Sequence, residues 1–416
     1  CDRAGNVTAH LDRVLDQSPV DPASAALAWE LAMGVVRRRG TLDALIDAFR
    51  QRAGRSPVGR IREILRMGAY QLLFLDRVPD FAAVNEAVAM VPVRGGRKMR
   101  GFVNALLRQM ARHVSEVQDG SPPPATDVLP LSGRRFRRFD RPVFPDPAGD
   151  PRGYLAAAMS LPDELAGKWL SDFGSLSAAR APAFHANARA PLILRVNSLI
   201  ASVEQVTSRL GEQGIEAAPH ANGLSVVLAH GAGLTGLDVF AEGLLQPQDA
   251  AATAVIARAP VAPGMRVLDL CAAPGTKTTH LAERMADRGE IVAVDVSAEK
   301  LSRIEDNCRR MKISIVRTLL AEKVTTLDPE SFDLVLADVP CSNTGVLARR
   351  PEARWRFTME RMGQLVRDQR QLLMLAASFV RPGGACVYST CSLEKQENEQ
   401  AVRHLLSRRG DFSVAV

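Results

Sequence analysis

The chain has 416 residues, 46% of them hydrophobic, and a net charge of +7, which allows two or three domains with real cores. Its six cysteines contain no C-x-x-C pair, which argues against a disulfide framework or a metal site and fits a reducing cytoplasm. No apolar run is long enough to span a bilayer and no signal-peptide pattern is seen, in keeping with the expectation of a cytoplasmic protein.

Residues 1–115 read as an all-α domain. Ala25, Leu27, Ala28, Leu31, Ala32 and Val35 fall at helical spacing, as do Ile61, Ile64, Leu65, Ala69 and Leu72. Gly120-Ser121-Pro122-Pro123-Pro124 opens a basic, Pro-rich linker over 116–151, expected to lack a fold of its own. Residues 152–250 read as a small α+β module suited to substrate recognition. A helix over Pro162–Phe173 opens with Asp163 and Glu164, which suits its dipole. A strand Leu192–Asn197, a helix Val203–Gly211 and a strand Ser225–Leu228 follow. Residues 251–416 alternate strand and helix in the βαβ manner of a Rossmann-like, doubly wound parallel sheet.

Two strings carry chemistry. Asp338-Val339-Pro340-Cys341-Ser342-Asn343-Thr344-Gly345 follows the buried strand Phe332–Ala337, and Ser389-Thr390-Cys391-Ser392 follows Ala385–Tyr388. Ligands of an open α/β sheet sit beyond such strand ends. A lone free cysteine is most often a packing residue. Two thiols in these contexts point instead to a covalent step on an electrophilic substrate, with a second thiol assisting. Spacing leaves open which thiol attacks.

A third string points to a co-substrate. The strand Val267–Leu270 runs into the small-residue turn Cys271-Ala272-Ala273-Pro274-Gly275-Thr276-Lys277-Thr278, which opens a helix. A second strand, Glu290–Val294, ends in Asp295, placed to meet a ribose hydroxyl pair. The turn lacks both G-x-G-x-x-G and P-loop spacing, so an adenosine-type ligand without a triphosphate fits best. Basic residues cluster in Arg94–Arg100, Arg134–Arg141 and Arg349–Arg356, in the manner of phosphate contacts. An arginine-rich proteome is the competing explanation.

These motifs resemble those of S-adenosylmethionine-dependent RNA cytosine-C5 methyltransferases. Ile64–Pro79, Ala83–Val88 and Gly101–Arg108 resemble NusB-like helical domains, and the combination resembles the bacterial small-subunit (16S) ribosomal RNA cytosine-C5 methyltransferases of the Sun/Fmu (RsmB-like) family. The resemblance covers nearly the whole chain and is weakest over 115–150. It implies S-adenosylmethionine as cofactor, RNA as partner and a monomeric cytoplasmic enzyme. It implies Cys391 as nucleophile, Cys341 as the thiol that assists product release, and Asp338 as the carboxylate on the target base's polar edge or the cofactor amino group. The same likeness gives Cys271, Ala272, Ala273, Pro274, Gly275, Thr276, Lys277, Asp295 and Asp338 to the cofactor. Lys277 faces either the target or the cofactor carboxylate.

Other readings of single residues stand beside these. Asp338 also suits a cap on the following turn, and Asp249 suits a helix N-cap as well as a family segment with Gln248. Arg195 and Asn197 resemble a strand motif near the substrate. Cys308 and Cys386 read as structural, and Asp269 as ordering the turn. The chain departs from the pattern at Thr276 and Asn343, where small residues are usual, and in Val316–Ala321, which lacks an acidic residue beside the adenine; Glu322 is the nearest stand-in. Both ends, Cys1 and Val416, lead to the expectation of trimming. Competing functions are a transfer-RNA methyltransferase, a non-catalytic RNA-binding assembly or antitermination factor, and a DNA cytosine methyltransferase.

Overall fold

The computed structural model describes residues 7–18, 20–50, 57–93, 96–228 and 236–415. Cys1, Arg94 and Val416, singled out above, lie outside them. Contacts divide the chain into two units, Cys1–Arg189 with Asn343–Arg361, and Ala190–Ser342 with Met362–Val416.

The first unit begins with α1 (Val7–Gln17), α2 (Pro22–Ala48), α3 (Arg60–Phe74), α4 (Asp80–Ala89) and α5 (Gly96–His113). α2 starts where it does because the Asp21 carboxylate accepts the Ala23 and Ser24 N–H groups, each at 3.0 Å, with Pro22 in its first turn. Helical spacing gathers Leu42, Leu45 and Ile46 of α2, Leu65 and Leu73 of α3, and Val103, Leu107 and Met110 of α5 into one core. Gly34 permits a close approach: a Cβ there would lie 2.0 Å from the Tyr70 ring.

The stretch 116–151, expected as an unfolded linker, instead forms the antiparallel sheet β1 (Gln118–Asp119), β2 (Val128–Pro130) and β3 (Arg135–Arg138), in the order β1-β3-β2. Leu129, Phe139, Val143 and Phe144 from this stretch enter the helical core, which supplies the apolar burial that proline-rich composition hides. Helices α6 (Pro151–Ala158), α7 (Asp163–Phe173) and α8 (Leu176–Asn187) follow and belong to this unit. The expected 152–250 stretch is therefore divided, α6–α8 going to the first unit and residues 190–250, with their strands and two helices, to the second.

Residues 343–361 also pack within the first unit, a return that the sequence reading placed in the catalytic domain. Arg354, at 0% exposure, explains it. Its Nη1 donates to the carbonyls of Arg37 and Ser160, each at 3.0 Å, and to Asn187 Oδ1 at 2.9 Å; its Nη2 donates to the Ala186 carbonyl at 2.7 Å. Trp355 Nε1 donates to the Val36 carbonyl at 2.8 Å. Burial beside Arg37 and Arg38 pulls the Arg354 guanidinium down to about 9. Arg354 thus leaves the phosphate-contact cluster it was assigned to.

The second unit holds two sheets. β4 (Leu192–Val196), β5 (Ala217–Pro219), β6 (Ser225–Leu228) and β7 (Leu245–Pro247) pair antiparallel in the order β5-β6-β4-β7, with α9 (Val203–Glu212) and the single turn α10 (Asp238–Ala241). After α11 (Ala250–Arg258) comes the parallel sheet of β8 (Arg266–Asp269), β9 (Glu290–Asp295), β10 (Val316–Leu320), β11 (Phe332–Asp338) and β12 (Val380–Ser389). Its order is β10-β9-β8-β11-β12, and all four pairings are parallel. Helices α12 (Thr276–Arg284), α13 (Ala298–Met311) and α14 (Met359–Phe379) lie between successive strands, and α15 (Glu399–Arg408) follows β12. β11 is buried almost throughout, as a central parallel strand covered on both faces must be.

Candidate active site

The strand order reverses between β8 and β11, and the crevice beyond their carboxyl ends is where such folds bind ligands. β8 delivers Asp269 and the turn Cys271–Gly275. The turn is held by the Ala272 N–H on the Val294 carbonyl at 2.9 Å, the Gly275 N–H on the Ala272 carbonyl at 2.7 Å, and Asn307 Nδ2 on the Pro274 carbonyl at 2.9 Å. Gly275 has φ +91° and opens α12; a Cβ there would meet Ile304 at 3.1 Å. Asp295 closes β9 beside the turn, its Oδ2 accepting the Ala273 N–H and its Oδ1 pairing with Lys300 Nζ, both at 3.3 Å.

β11 delivers Asp338, whose carboxylate is fixed on both oxygens. Lys277 Nζ, in the first turn of α12, lies 2.5 Å from Oδ2, and Ser389 Oγ, at the end of β12, donates to Oδ1 at 2.6 Å. Asp338 and Ser389 are also partners in the β11–β12 register. Chains leaving two paired strand ends run side by side, so Cys341, three residues on, meets Cys391, two residues on. Their Sγ atoms are 3.0 Å apart. The structure thus brings together Cys341, Cys391, Asp338 and Lys277, with the Cys271–Thr276 turn at the neighbouring strand end.

Three further cysteines lie in the second unit. Burial pushes Cys271 up to about 12, aided by the carboxylates of Asp269, Asp295 and Asp338, and burial likewise pushes Cys308 and Cys386 up to about 12. Those three stay thiols near neutrality. Asp269 is fully buried, accepts Thr278 Oγ1 at 2.8 Å, and is pushed by burial up to about 7. His280 on α12 is buried and held neutral, pushed down to about 2 by burial and the nearby Arg195 and Arg284.

Arg195 and Asn197 are buried and bonded within the fold. Arg195 and Glu283 are 1% and 2% exposed and pair at 2.6 Å, and Arg195 also donates to the Thr276 carbonyl at 2.8 Å, to Thr279 Oγ1 at 3.1 Å and to Gln248 Oε1. Asn197 Nδ2 donates to the carbonyls of Gly243 and Met311 at 3.1 and 3.0 Å. Both stitch the antiparallel module to the parallel one, and through Thr276 Arg195 braces the Cys271–Thr276 turn. Asp249 caps α11 by accepting the Ala251 N–H at 2.9 Å. Leu320 pairs with Asp295 in register, so Glu322 follows the neighbouring strand end; its side chain is exposed.

The basic clusters differ from the expectation. Arg135 pairs with Asp76 at 3.0 Å, Arg138 with Asp127 at 2.8 Å and Arg141 with Asp140 at 3.2 Å, so most of the Arg134–Arg141 charge is neutralised locally. Arg97, Lys98 and Arg100 on α5 are exposed, and none of them has an ion pair among the described residues. Glu397 and Gln369, both at 0% exposure beneath the two thiol loops, were missed by the sequence reading. Their only signal was position, Glu397 lying six residues after Cys391.

A doubly wound sheet with a small-residue turn and paired thiols at its switch point defines a methyltransferase-type catalytic unit. The comparisons narrow the class. The family model for 16S rRNA methyltransferase RsmB/F matches residues 256–415, that for the NusB family 3–112, and that for the RsmF/B-like ferredoxin-like domain 161–232. A probable ribosomal RNA small subunit methyltransferase B from Synechocystis is 33% identical over 97% of this chain and 85% of its own length. A ribosomal RNA small subunit methyltransferase B from Klebsiella pneumoniae is 30% identical over 96% and 85%. The solved structure of PH0851 is 26% identical, with a TM-score of 0.73 over 95% of this chain and 84% of that one. The chain belongs to the ribosomal RNA small subunit methyltransferase B family.

Proposed function

We propose that the protein transfers a methyl group from S-adenosylmethionine to carbon 5 of a cytosine in small-subunit ribosomal RNA, through a covalent cysteine adduct. The observation that carries this reading is the 3.0 Å approach of Cys341 and Cys391 beside the Lys277–Asp338 pair at the switch point. The names of its relatives favour ribosomal RNA over transfer RNA.

The turn residues fit an adenosine-type sulfonium. The cradle Cys271–Thr276 is closed by Gly275, Asp295 stands at the ribose position, and the buried Asp269 Oδ1 lacks a hydrogen-bond partner among the described residues. Lys277 offers its ammonium to a carboxylate. When bound, S-adenosylmethionine supplies the electrophilic methyl that carbon 5 takes up.

The protein's own residues make carbon 5 reactive. The target base must leave its stack to expose carbon 6. Cys391 adds as thiolate to carbon 6, forming a C–S bond and turning the ring into an enamine. Asp338, held by Lys277 and Ser389, receives the exocyclic amine and, when protonated, supports charge at ring nitrogen 3. Cys341 assists loss of the carbon 5 proton and expulsion of Cys391, which restores the aromatic ring and the free thiolate.

Incubation with labelled S-adenosylmethionine and unmodified small-subunit ribosomal RNA tests the reading. Label at cytosine carbon 5, absent in Cys391→Ala, is expected. Label on transfer RNA alone would move the substrate, and label on neither RNA would overturn the reading.

A further inference from the structure

We infer that Glu397 is a positioning residue that sets the spacing of the two thiols. The inference deepens the proposed mechanism and rests on it for its catalytic consequence, while its geometric content stands alone.

Glu397 is a carboxylate at 0% exposure with no ion pair among the described residues, an arrangement that costs free energy unless its oxygens are filled. They are filled by the two thiol loops. Oε1 accepts the Ser342 N–H at 2.9 Å and Gln369 Nε2 at 2.9 Å. Oε2 accepts Ser392 Oγ at 2.5 Å and also Ser342 Oγ. Ser342 is the residue after Cys341, and Ser392 the residue after Cys391. One side chain therefore grips both loops at the position next to each thiol.

Neighbouring bonds make the grip rigid. Gln369 Nε2, from α14, also donates to the Pro340 carbonyl at 2.9 Å, on the other side of Cys341. Asn398 Nδ2 donates to the Ser392 carbonyl at 2.9 Å, and its Oδ1 accepts Thr390 Oγ1 at 2.5 Å, so Cys391 is bracketed as well. Tyr388 Oη donates to the Glu397 carbonyl at 2.7 Å. The β11–β12 register brings the loops to the same place, and Glu397 fixes the remaining freedom beyond the strand ends.

Reach matters more than charge in such a bridge. Glutamine keeps the length, and the two serine hydroxyls rotate to accept from its amide nitrogen. Aspartate keeps the charge but is one methylene short. The order of function is therefore Glu, Gln, then Asp and Ala, whereas a group acting as acid or base would rank Asp above Gln.

The test uses the full-length chain in four forms, wild type, Glu397→Gln, Glu397→Asp and Glu397→Ala, each checked for folding by thermal melting. The first readout is the rate at which the azo oxidant diamide joins Cys341 to Cys391, two thiols giving up two protons and two electrons as the azo group becomes a hydrazine. The second is methyl transfer. Cross-linking and kcat are expected to fall together, on the order of a hundredfold in Glu397→Ala, with KM for S-adenosylmethionine unchanged and partial rescue in Glu397→Gln. Unchanged cross-linking in a folded Glu397→Ala, or Asp matching or exceeding Gln, would overturn the inference. Cross-linking that follows Glu397 in a protein with no methyl transfer would sink the proposed reaction and leave the positioning role standing.

Discussion

The Lys277 ammonium lies 2.5 Å from Asp338 Oδ2 and ties the first turn of α12 to the end of β11. The pair spans the switch point, so the lysine following the Cys271–Thr276 turn also orients the carboxylate that opens the Pro-Cys motif. In the proposed mechanism, substrate positioning and cofactor binding are thereby linked through one hydrogen bond.

Lys277→Met removes that tie and frees Asp338. Methyl transfer is expected to fall by on the order of 10²-fold, the usual consequence of losing one oriented polar group at a reacting centre. Single-turnover rates measured beside cofactor affinity by calorimetry check this. A loss confined to affinity would assign Lys277 to the cofactor alone.

Breaking the buried Arg195–Glu283 pair strands a charge. Arg195→Met or Glu283→Gln is expected to destabilise the protein by about 3–5 kcal/mol, while the double apolar replacement recovers much of that loss. Urea unfolding monitored by circular dichroism measures both. Equal loss in single and double variants would show that packing, not charge pairing, holds the joint.

Arg354→Met empties a guanidinium site lined by carbonyls. Each acceptor left without a donor costs about 1–3 kcal/mol, so the first unit is expected to melt well below wild type. Hydrogen exchange should show loosening of 343–361 together with α8. Melting like the wild type would mean that water replaces the arginine.

Asp269 sets a pH dependence. Its carboxyl ordinarily titrates near 3.8 and is pushed up to about 7 in the fold, so between these values the native state binds more protons than the unfolded chain. Stability contributed by this group is greatest below the lower value, falls as pH rises toward 7, and is fully lost above it, at most about 1.4 kcal/mol per pH unit. Asp269→Asn is expected to flatten the decline, measured as urea midpoints from pH 4 to 8. An unchanged slope would place the titration elsewhere.

The parallel sheet and the thiol strand ends were legible because buried parallel strands carry continuous apolar runs and their ends carry short motifs. Phe332–Ala337 and Val267–Leu270 were read directly in this way. The sheet over 116–151 was hidden because Phe136 is flanked by arginines whose charges are taken up by Asp76 and Asp127, one of them distant in sequence. Arg354 was misread for a similar reason: its neighbours Arg349, Arg350 and Arg356 look like a surface cluster, and only tertiary packing separates it from them. Glu397 was invisible because its four donors come from three separate segments. Local composition does not encode such long-range hydrogen bonding.

The most direct test of the proposed chemistry is to look for a covalent RNA–protein adduct, by denaturing gel and mass spectrometry, in Cys341→Ala and Cys391→Ala supplied with S-adenosylmethionine and small-subunit ribosomal RNA. The account predicts that Cys341→Ala accumulates an adduct through Cys391 and that Cys391→Ala forms none. An adduct through Cys341 in Cys391→Ala, with none in Cys341→Ala, would contradict it and exchange the roles of the two thiols.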